Sequence, residues 1–269
     1  MTPRLKNILF ALLIILISEL TFTQQPTLEW ARIYNGPLSQ ADRGVAIVVD
    51  DSGYVYVTGT LKGTLTNDFD YCTIKYKPNG DSSWVRIYSR MPGDSFEVAR
   101  DLKVDAASNV YVTGIPTTIK YDKYGNIVWL ISTPSVFHGG KIELDNLGNI
   151  YVGGINSLSK YTLRKYNNNG SLLWSTTYDD GGGGEPHDMI MDKFGNIILA
   201  GEMAYNNGNS YDFFTMKFNT SGDTLWARSY NGPGSFPPYD WANAVAVDDT
   251  GNIYVTGLSQ DPNRNSEFY

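Results

Sequence analysis

The stretch Val247-Asp-Asp-Thr-Gly-Asn-Ile-Tyr-Val-Thr-Gly257 is one of five similar copies along the chain, and this repeat decides the fold. In each copy an apolar run leads to an aspartate, a short turn follows, and a β-branched and aromatic run ends in glycine. Aspartate accepts backbone hydrogen bonds in tight turns, and Gly or Asn tolerates positive φ, so each copy predicts a β-hairpin. The turn aspartates are Asp50, Asp105, Asp145, Asp192 and Asp248, and the closing glycines are Gly59, Gly114, Gly154, Gly201 and Gly257.

A second motif, Lys-Tyr/Phe-x-x-x-Gly-x-x-x-Trp, follows four of these copies in the same phase. Its start predicts a third strand, its central glycine a turn, and the segment at its tryptophan a fourth strand. Four short strands in each repeat of 40 to 56 residues indicate an all-β fold, a β-propeller of four-stranded antiparallel blades. The motif lysines are Lys75, Lys120, Lys165 and Lys217, and the tryptophans are Trp84, Trp129, Trp174 and Trp226.

Residues that recur in the repeats are predicted to serve the architecture rather than a unique site. The tryptophans are expected to pack between blades. The lysines are expected to cover a neighbouring aromatic ring or to pair with an acid, and the aspartates to hold the turns.

The two ends of the chain predict about four and a half blades. Trp30-Ala-Arg-Ile-Tyr-Asn-Gly-Pro37 matches residues 226–233, so it is expected to be a fourth strand without its first three, available for ring closure. The chain ends at Ser266-Glu-Phe-Tyr269, where a third strand is expected to begin. An unpaired edge favours aggregation, and we therefore expect residues 24–269 to be an incomplete propeller domain of a longer protein.

Three phrases carry a resemblance to a known family: Asp70-Tyr-Cys-Thr-Ile-Lys-Tyr76, Trp226-Ala-Arg-Ser-Tyr-Asn-Gly-Pro-Gly234, and the stretch quoted first. They resemble the SBBP repeat, a bacterial seven-bladed β-propeller repeat family. The resemblance covers nearly the whole chain after residue 23. It implies an exported or surface-attached protein and no single activity.

The N-terminus predicts export. Arg4 and Lys6 precede an apolar run from Ile8 to Ile17, too short to span a bilayer, and a polar stretch follows, so residues 1–23 are predicted to be a signal peptide. The alternatives are a membrane anchor or a buried first helix. The cleaved chain is expected to be secreted or held at the cell surface, without membrane insertion.

Charge and cysteine content exclude several classes of function. The net charge of −7 disfavours nucleic acid as a partner, because phosphate binding needs clustered cations. The single cysteine, Cys72, excludes a disulfide framework and a cysteine-based zinc site, and it is expected to be a small buried hydrophobe. No metal site or cofactor is predicted.

Three acidic residues stand eight positions before a turn aspartate, near the predicted start of an innermost strand: Asp42, Glu97 and Asp240. Such carboxylates could surround the central channel and hold a cation or a polar ligand. The alternative is that each makes a local turn or interblade hydrogen bond.

Two aromatic residues outside the repeat motifs, Tyr239 and Trp241, are binding candidates in a Pro-rich loop. Loops rich in Tyr, Asn and Gly suit contact with a protein or a glycan, whereas Trp241 could instead cap the fifth blade. These residues favour a non-catalytic binding or scaffolding role.

The alternative function is an enzyme with its site at the central channel. A glycan-active propeller would need convergent carboxylates, for which Asp42, Glu97 and Asp240 are the candidates. A quinoprotein-like site is suggested only by residues 122–129, which resemble the tryptophan-docking motif of quinoprotein dehydrogenases. His138 and His187 are the only histidines, and His187 beside Asp188 could act as a base, but no nucleophile stands at motif spacing. No catalytic residue is therefore assigned.

Overall fold

The structure is a computed structural model of the 269-residue chain, and it divides into two compact units, Met1–Ile33 and Tyr34–Tyr269. The predicted signal peptide lies outside the residues that the structure describes. In the first unit, the described residues carry no helix or strand. The described residues are 27–37, 41–63, 69–90, 96–132, 137–205, 210–232, 239–260 and 266–268.

The second unit is built of five antiparallel sheets, each formed by strands that are consecutive in sequence. The first blade contains β1 (Arg43–Val49), β2 (Val55–Lys62), β3 (Phe69–Tyr76) and β4 (Ser82–Tyr88). The second contains β5 (Val98–Val104), β6 (Val110–Ile115), β7 (Thr117–Tyr121) and β8 (Ile127–Ser132). The third contains β9 (Phe137–Leu144), β10 (Ile150–Asn156), β11 (Tyr161–Tyr166) and β12 (Leu172–Thr177). The fourth contains β13 (Pro186–Met191), β14 (Ile197–Tyr205), β15 (Ser210–Phe218) and β16 (Thr224–Tyr230). The fifth contains β17 (Trp241–Val247), β18 (Ile253–Gln260) and β19 (Ser266–Phe268).

This arrangement confirms the predicted all-β propeller fold and its four complete blades. The fifth blade has three strands, since residues 266–268 pair with β18 at the place where a third strand was expected to begin. Residues 27–36 form no strand, so the N-terminal fourth strand predicted for ring closure is not formed. The strand ladders of the described residues do not include this segment.

The repeated aspartates hold the hairpin turns as predicted. Asp105 Oδ1 accepts the backbone N–H groups of Ala107 and Asn109 at 2.9 Å each, and its Oδ2 accepts the Tyr111 hydroxyl at 3.0 Å. Ser108, where other copies have glycine, takes the left-handed conformation with φ of 61°. The turn chemistry read from the sequence therefore fixes the connection between the first two strands.

The motif tryptophans dock each blade onto the next one. The Trp84 Nε1–H donates to the Lys123 carbonyl at 3.1 Å, and its ring lies against Gly125 in the following blade. Trp129 repeats the arrangement with the Asn168 carbonyl at 2.9 Å and with Gly170. The turn glycine leaves room for the indole, because a Cβ atom at either position would come within about 3 Å of it.

The motif lysines and the cysteine also take their predicted places. Lys75 Nζ lies 4.3 Å from the Tyr54 ring centroid, and Lys217 Nζ lies 2.8 Å from Asp192 Oδ2. Cys72 is buried, and burial raises the pKa of its thiol to about 12, which makes it unreactive at neutral pH.

The hydrophobic cores lie between neighbouring blades. Tyr71 of the first blade packs with Leu102, Val112 and Tyr121 of the second, and all four are almost fully buried. The Tyr71 hydroxyl donates to the Thr117 carbonyl at 2.9 Å across this interface. Among the described residues, no helix is long and apolar enough to cross a membrane.

Candidate functional site

Every innermost strand carries a β-bulge at the same place in its repeat. The ladder between the first and second strands skips one residue in each blade, and that residue stands five positions before the turn aspartate. A bulge leaves its extra residue unpaired and redirects its side chain. The five bulge residues are Val45, Arg100, Gly140, His187 and Asn243.

The closing glycines of the repeat motif permit these bulges. A Cβ atom on Gly114 would lie 2.0 Å from the Val98 carbonyl oxygen, and one on Gly257 would lie 2.0 Å from the Trp241 carbonyl. The other three closing glycines have the same contact at 2.0 to 2.2 Å. Only glycine lets the second strand approach the bulged first strand this closely.

A central cavity of about 580 Å³ is lined by the first strands of all five blades. All five bulge residues line it. Its ionisable lining residues are all basic, and no carboxylate is among the described residues that line it. The charged and amide side chains of the lining are Arg43, Arg100, Lys141, His187 and Asn243.

Two of the cations in the lining form ion pairs with carboxylates of the fourth blade. Arg100 pairs with Glu185 of the fourth blade. His187 Nε2 lies 2.5 Å from Glu202 Oε2, and its Nδ1 lies 3.0 Å from the Ala242 carbonyl oxygen. Burial disfavours the imidazolium, but Glu202, together with the Ala242 carbonyl and Glu185, outweighs it and raises the pKa of His187. Both side chains are about one-third exposed, so they are oriented and still accessible.

The other two cations are free to meet a ligand. Arg43 is exposed and Lys141 is half-buried, and neither forms an ion pair within the described part of the chain. The nearby carboxylate of Asp101 is occupied elsewhere, since its Oδ2 accepts the backbone N–H of Ile142 at 3.1 Å. Burial raises the pKa of Asp101 although the Lys141 charge acts in the opposite direction.

His187 and Asp188 do not form the pair that the sequence suggested. The Asp188 carboxylate accepts the backbone N–H groups of Met189 at 2.9 Å and of Val245 at 2.8 Å. It therefore locks the fourth blade to the fifth, and the acid that faces His187 is Glu202. His138 is half-buried at the start of β9 and is not part of the cavity lining.

The three predicted acidic candidates are not brought together, and none lines the cavity. Asp42 Oδ2 accepts the Gly36 N–H at 2.7 Å, and Glu97 Oε1 accepts the Arg90 N–H at 3.2 Å. Asp240 is fully buried and accepts the Gly232 N–H at 2.7 Å. Each carboxylate thus binds the backbone of the segment that leads into its blade. This is the alternative of a local hydrogen bond rather than a ligand contact.

Tyr239 and Trp241 lie at the start of the fifth blade. The Tyr239 ring stacks on Tyr211 with centroids 5.6 Å apart, and it is 39% exposed. An equivalent pair joins the first two blades, where Phe96 lies 5.5 Å from Phe69 and is 56% exposed. Trp241 is half-buried in β17 and its side chain is not part of the cavity lining.

We expect the stability of the fold to depend on pH through His187. A raised pKa means that the protonated imidazole stabilises the fold below the unfolded value of about 6.5, and this contribution is lost as the pH rises through the folded value. We expect the stability difference between wild type and His187→Gln to be larger at about pH 5.5 than at about pH 8.5. Urea unfolding at both pH values measures it.

The control for this experiment is His138→Gln, since His138 forms no ion pair within the described residues. This variant measures how much of the change comes from the loss of any imidazole. An equal effect of His187→Gln at both values would contradict the assignment of Glu202 as the partner of a charged imidazole.

A comparison with protein families now places the repeat. Residues 232–262 match the SBBP family model, described as a β-propeller repeat. Residues 232–262 are therefore similar to an SBBP repeat. The match spans the turn aspartate Asp248 and the closing glycine Gly257 of the fifth blade, and it confirms the resemblance inferred from the motifs.

A curated relative of this chain is an uncharacterized WD repeat-containing protein of Acanthamoeba polyphaga mimivirus. It is 24% identical over 181 residues, which cover 60% of this chain and 11% of the relative. The chain therefore corresponds to a small part of that relative's length, and the relationship supports a propeller repeat.

Solved structures support the propeller fold at low sequence identity. The Pseudomonas aeruginosa periplasmic gluconolactonase matches with a TM-score of 0.55 and 11% identity over 85% of this chain and 70% of its own. The Neurospora crassa Pan2 WD40 domain matches with a TM-score of 0.51 and 12% identity, over 84% of this chain and 65% of its own. A Bacteroides caccae protein of unknown function matches with a TM-score of 0.50 and 14% identity, over 84% of this chain and 80% of its own. At these identities the likeness concerns the fold alone.

Proposed function

We propose that this chain is an exported, non-catalytic binding module whose ligand site is the central cavity. The observation that supports the proposal is the lining: five strands each place one bulge residue there, and Arg43, Lys141 and Asn243 offer hydrogen-bond donors without an internal ion pair among the described residues. A rigid ring that displays variable side chains from fixed positions is suited to recognition.

Export is the second part of this proposal, and it rests on residues 1–23. Their basic start and short apolar run are typical of a cleaved leader. The ligand would then be a protein or a glycan met at the cell surface or outside the cell.

A glycan-hydrolysing site is less well supported by the geometry. Such a site needs two carboxyl groups about 5 to 9.5 Å apart that face one substrate. Asp42, Glu97 and Asp240 instead accept backbone N–H groups of separate connections, and no carboxylate stands among the described lining residues. Among the described residues no group of three or more His, Cys, Asp or Glu could hold a metal ion.

The test begins with the full chain expressed in a bacterial host. We expect it outside the cytoplasm with an intact mass that indicates cleavage close to residue 23. The recovered protein is then screened for binding of defined oligosaccharides and small anions by calorimetry. We expect a bound compound to be returned chemically unchanged.

The matched variants locate the site. Arg43→Gln with Lys141→Gln should weaken binding at least about tenfold, because both free cations are lost. Lys77→Gln, an exposed lysine at the opposite end of the first blade, should leave it unchanged. Chemical turnover of the ligand, or binding that ignores the cavity variants, would overturn the proposal.

A further inference from the structure

We propose that the ligand of the central cavity is an anionic saccharide, a short oligosaccharide that carries uronate carboxylates. This inference rests on the proposed function and names its ligand class. Its two parts, the negative charge and the sugar, are supported by different residues.

The charge follows from the lining. Arg43, Arg100, Lys141 and His187 all line the cavity, and no described acid does. Arginine presents a planar fork that matches a carboxylate with two parallel hydrogen bonds, and lysine adds a point charge. Glu185 and Glu202 balance the charges of Arg100 and His187 and fix the positions of these side chains. Arg43 and Lys141 therefore supply the charge that a carboxylate in the cavity would meet.

The overall charge of the chain argues against a nucleic acid as the anion. The net charge is −7, so a long polyphosphate would be repelled by most of the surface. A local cationic cavity in an acidic protein selects a short anion that fits within it. The volume of about 580 Å³ lies in the range of small-molecule sites, about 300 to 1,000 Å³.

The sugar follows from two aromatic pairs, Phe69 with Phe96 and Tyr211 with Tyr239, each of which has one exposed ring, Phe96 and Tyr239. The first and third strands of a blade run in the same direction, so their starts lie at one end of the blades. Both aromatic pairs stand at these starts, and the bulges lie near them in the first strands. The pairs therefore share the face on which the cavity lining begins.

Aromatic faces of this kind suit the C–H face of a sugar ring, whereas a bare inorganic anion gains nothing from them. Lys62 adds a cation beside one pair, since its Nζ lies 4.8 Å from the Phe69 ring centroid. A chain of uronate units offers both partners at once, with alternating apolar ring faces and carboxylates. This combination favours an acidic oligosaccharide over a neutral one or a free phosphate.

The experiment is calorimetry on the full chain with defined probes. The probes are trimers of galacturonate, mannuronate and glucuronate, the neutral galactose, mannose and glucose trimers, and inorganic phosphate. We expect at least one uronate trimer to bind at least about tenfold more tightly than its neutral counterpart, with affinity that falls as salt is raised.

Two sets of variants separate the two parts of the inference. Arg43→Gln with Lys141→Gln should remove the preference for the acidic trimer. Phe96→Ala with Tyr239→Ala should weaken the trimer about tenfold but leave binding of the corresponding monomer unchanged. Lys77→Gln is the charge control, and Tyr124→Ala, an exposed aromatic in a turn at the opposite end of the second blade, is the aromatic control.

The outcomes distinguish this inference from the proposed function. Tighter binding of a neutral trimer that still depends on Arg43 and Lys141 would overturn the acidic class and leave the cavity as the site. Phosphate that binds as tightly as every uronate trimer, with no effect of the aromatic variants, would overturn the saccharide. The absence of any probe that responds to the cavity variants would overturn the saccharide proposal. The proposed function would fall with it if no protein ligand responds to Arg43→Gln with Lys141→Gln either.

Discussion

Replacement of Gly114 by alanine is expected to destabilise the chain by about 3 kcal/mol or more. The new Cβ would lie 2.0 Å from the Val98 carbonyl oxygen and 2.6 Å from the Tyr71 hydroxyl. Tyr71 is fully buried and the carbonyl belongs to the bulged strand, so neither can retreat without moving the backbone of a blade. Urea unfolding of wild type and variant measures the change.

Gly44→Ala is the matched control, because a Cβ there would meet nothing nearer than Val57 at 3.9 Å. Its expected effect is within about 0.5 kcal/mol. Equal effects of the two substitutions would show that loss of glycine flexibility, rather than the approach of the bulge, governs stability at Gly114.

Asp240→Ala is expected to cost about 3 kcal/mol of folding stability. The fully buried carboxylate accepts the Gly232 N–H at 2.7 Å, the Ser259 hydroxyl at 2.6 Å and the Gln260 N–H at 3.1 Å. Alanine would leave three donors without this acceptor in a site that excludes water. Thermal and urea unfolding give the change in stability.

Asp42→Ala gives the internal comparison, because Asp42 occupies the same repeat position but is only half-buried, with one bond at 2.7 Å to Gly36. Its expected cost is about 1 kcal/mol. Folded Asp240→Ala protein should bind ligand as wild type does. Unchanged stability together with lost binding would instead make Asp240 a ligand contact.

The frame of the propeller could be predicted because its residues recur. A turn such as that of Asp105 depends on local hydrogen bonds within about six residues, and these leave a pattern that repeats in the sequence. The docking of Trp84 on Gly125 likewise repeats at Trp129 and Gly170. Because they repeat, the aspartate turn and the tryptophan docking could be predicted without knowledge of long-range contacts.

The candidate site could not be predicted in the same way, because its residues differ from blade to blade. Arg100 and His187 occupy equivalent bulges, but nothing in their neighbouring residues marks an unpaired position. The signal that was available is the closing glycine, whose close approach implies a bulge opposite it. Glu202, the partner of His187, comes from a neighbouring strand and has no motif of its own.

The acidic candidates were predicted to face a common channel, but each makes hydrogen bonds to the segment that leads into its own blade. Asp42, Glu97 and Asp240 do stand near the starts of innermost strands, as predicted. Their carboxylates turn toward the preceding connection because its backbone N–H groups would otherwise lack acceptors. Sequence spacing gave their position along the strand and not the direction of the side chain.

Each repeat combines positions that are the same in all five copies with a bulge position that differs in every copy. Valine, arginine, glycine, histidine and asparagine all occur at the bulge, while the turn aspartate and the closing glycine are the same in all five copies. Duplication of one ancestral repeat could therefore supply copies that diverge in what they present without loss of the frame. For protein engineering, the same property makes the five positions a compact library: one substitution per blade alters the cavity and leaves the folding signals intact.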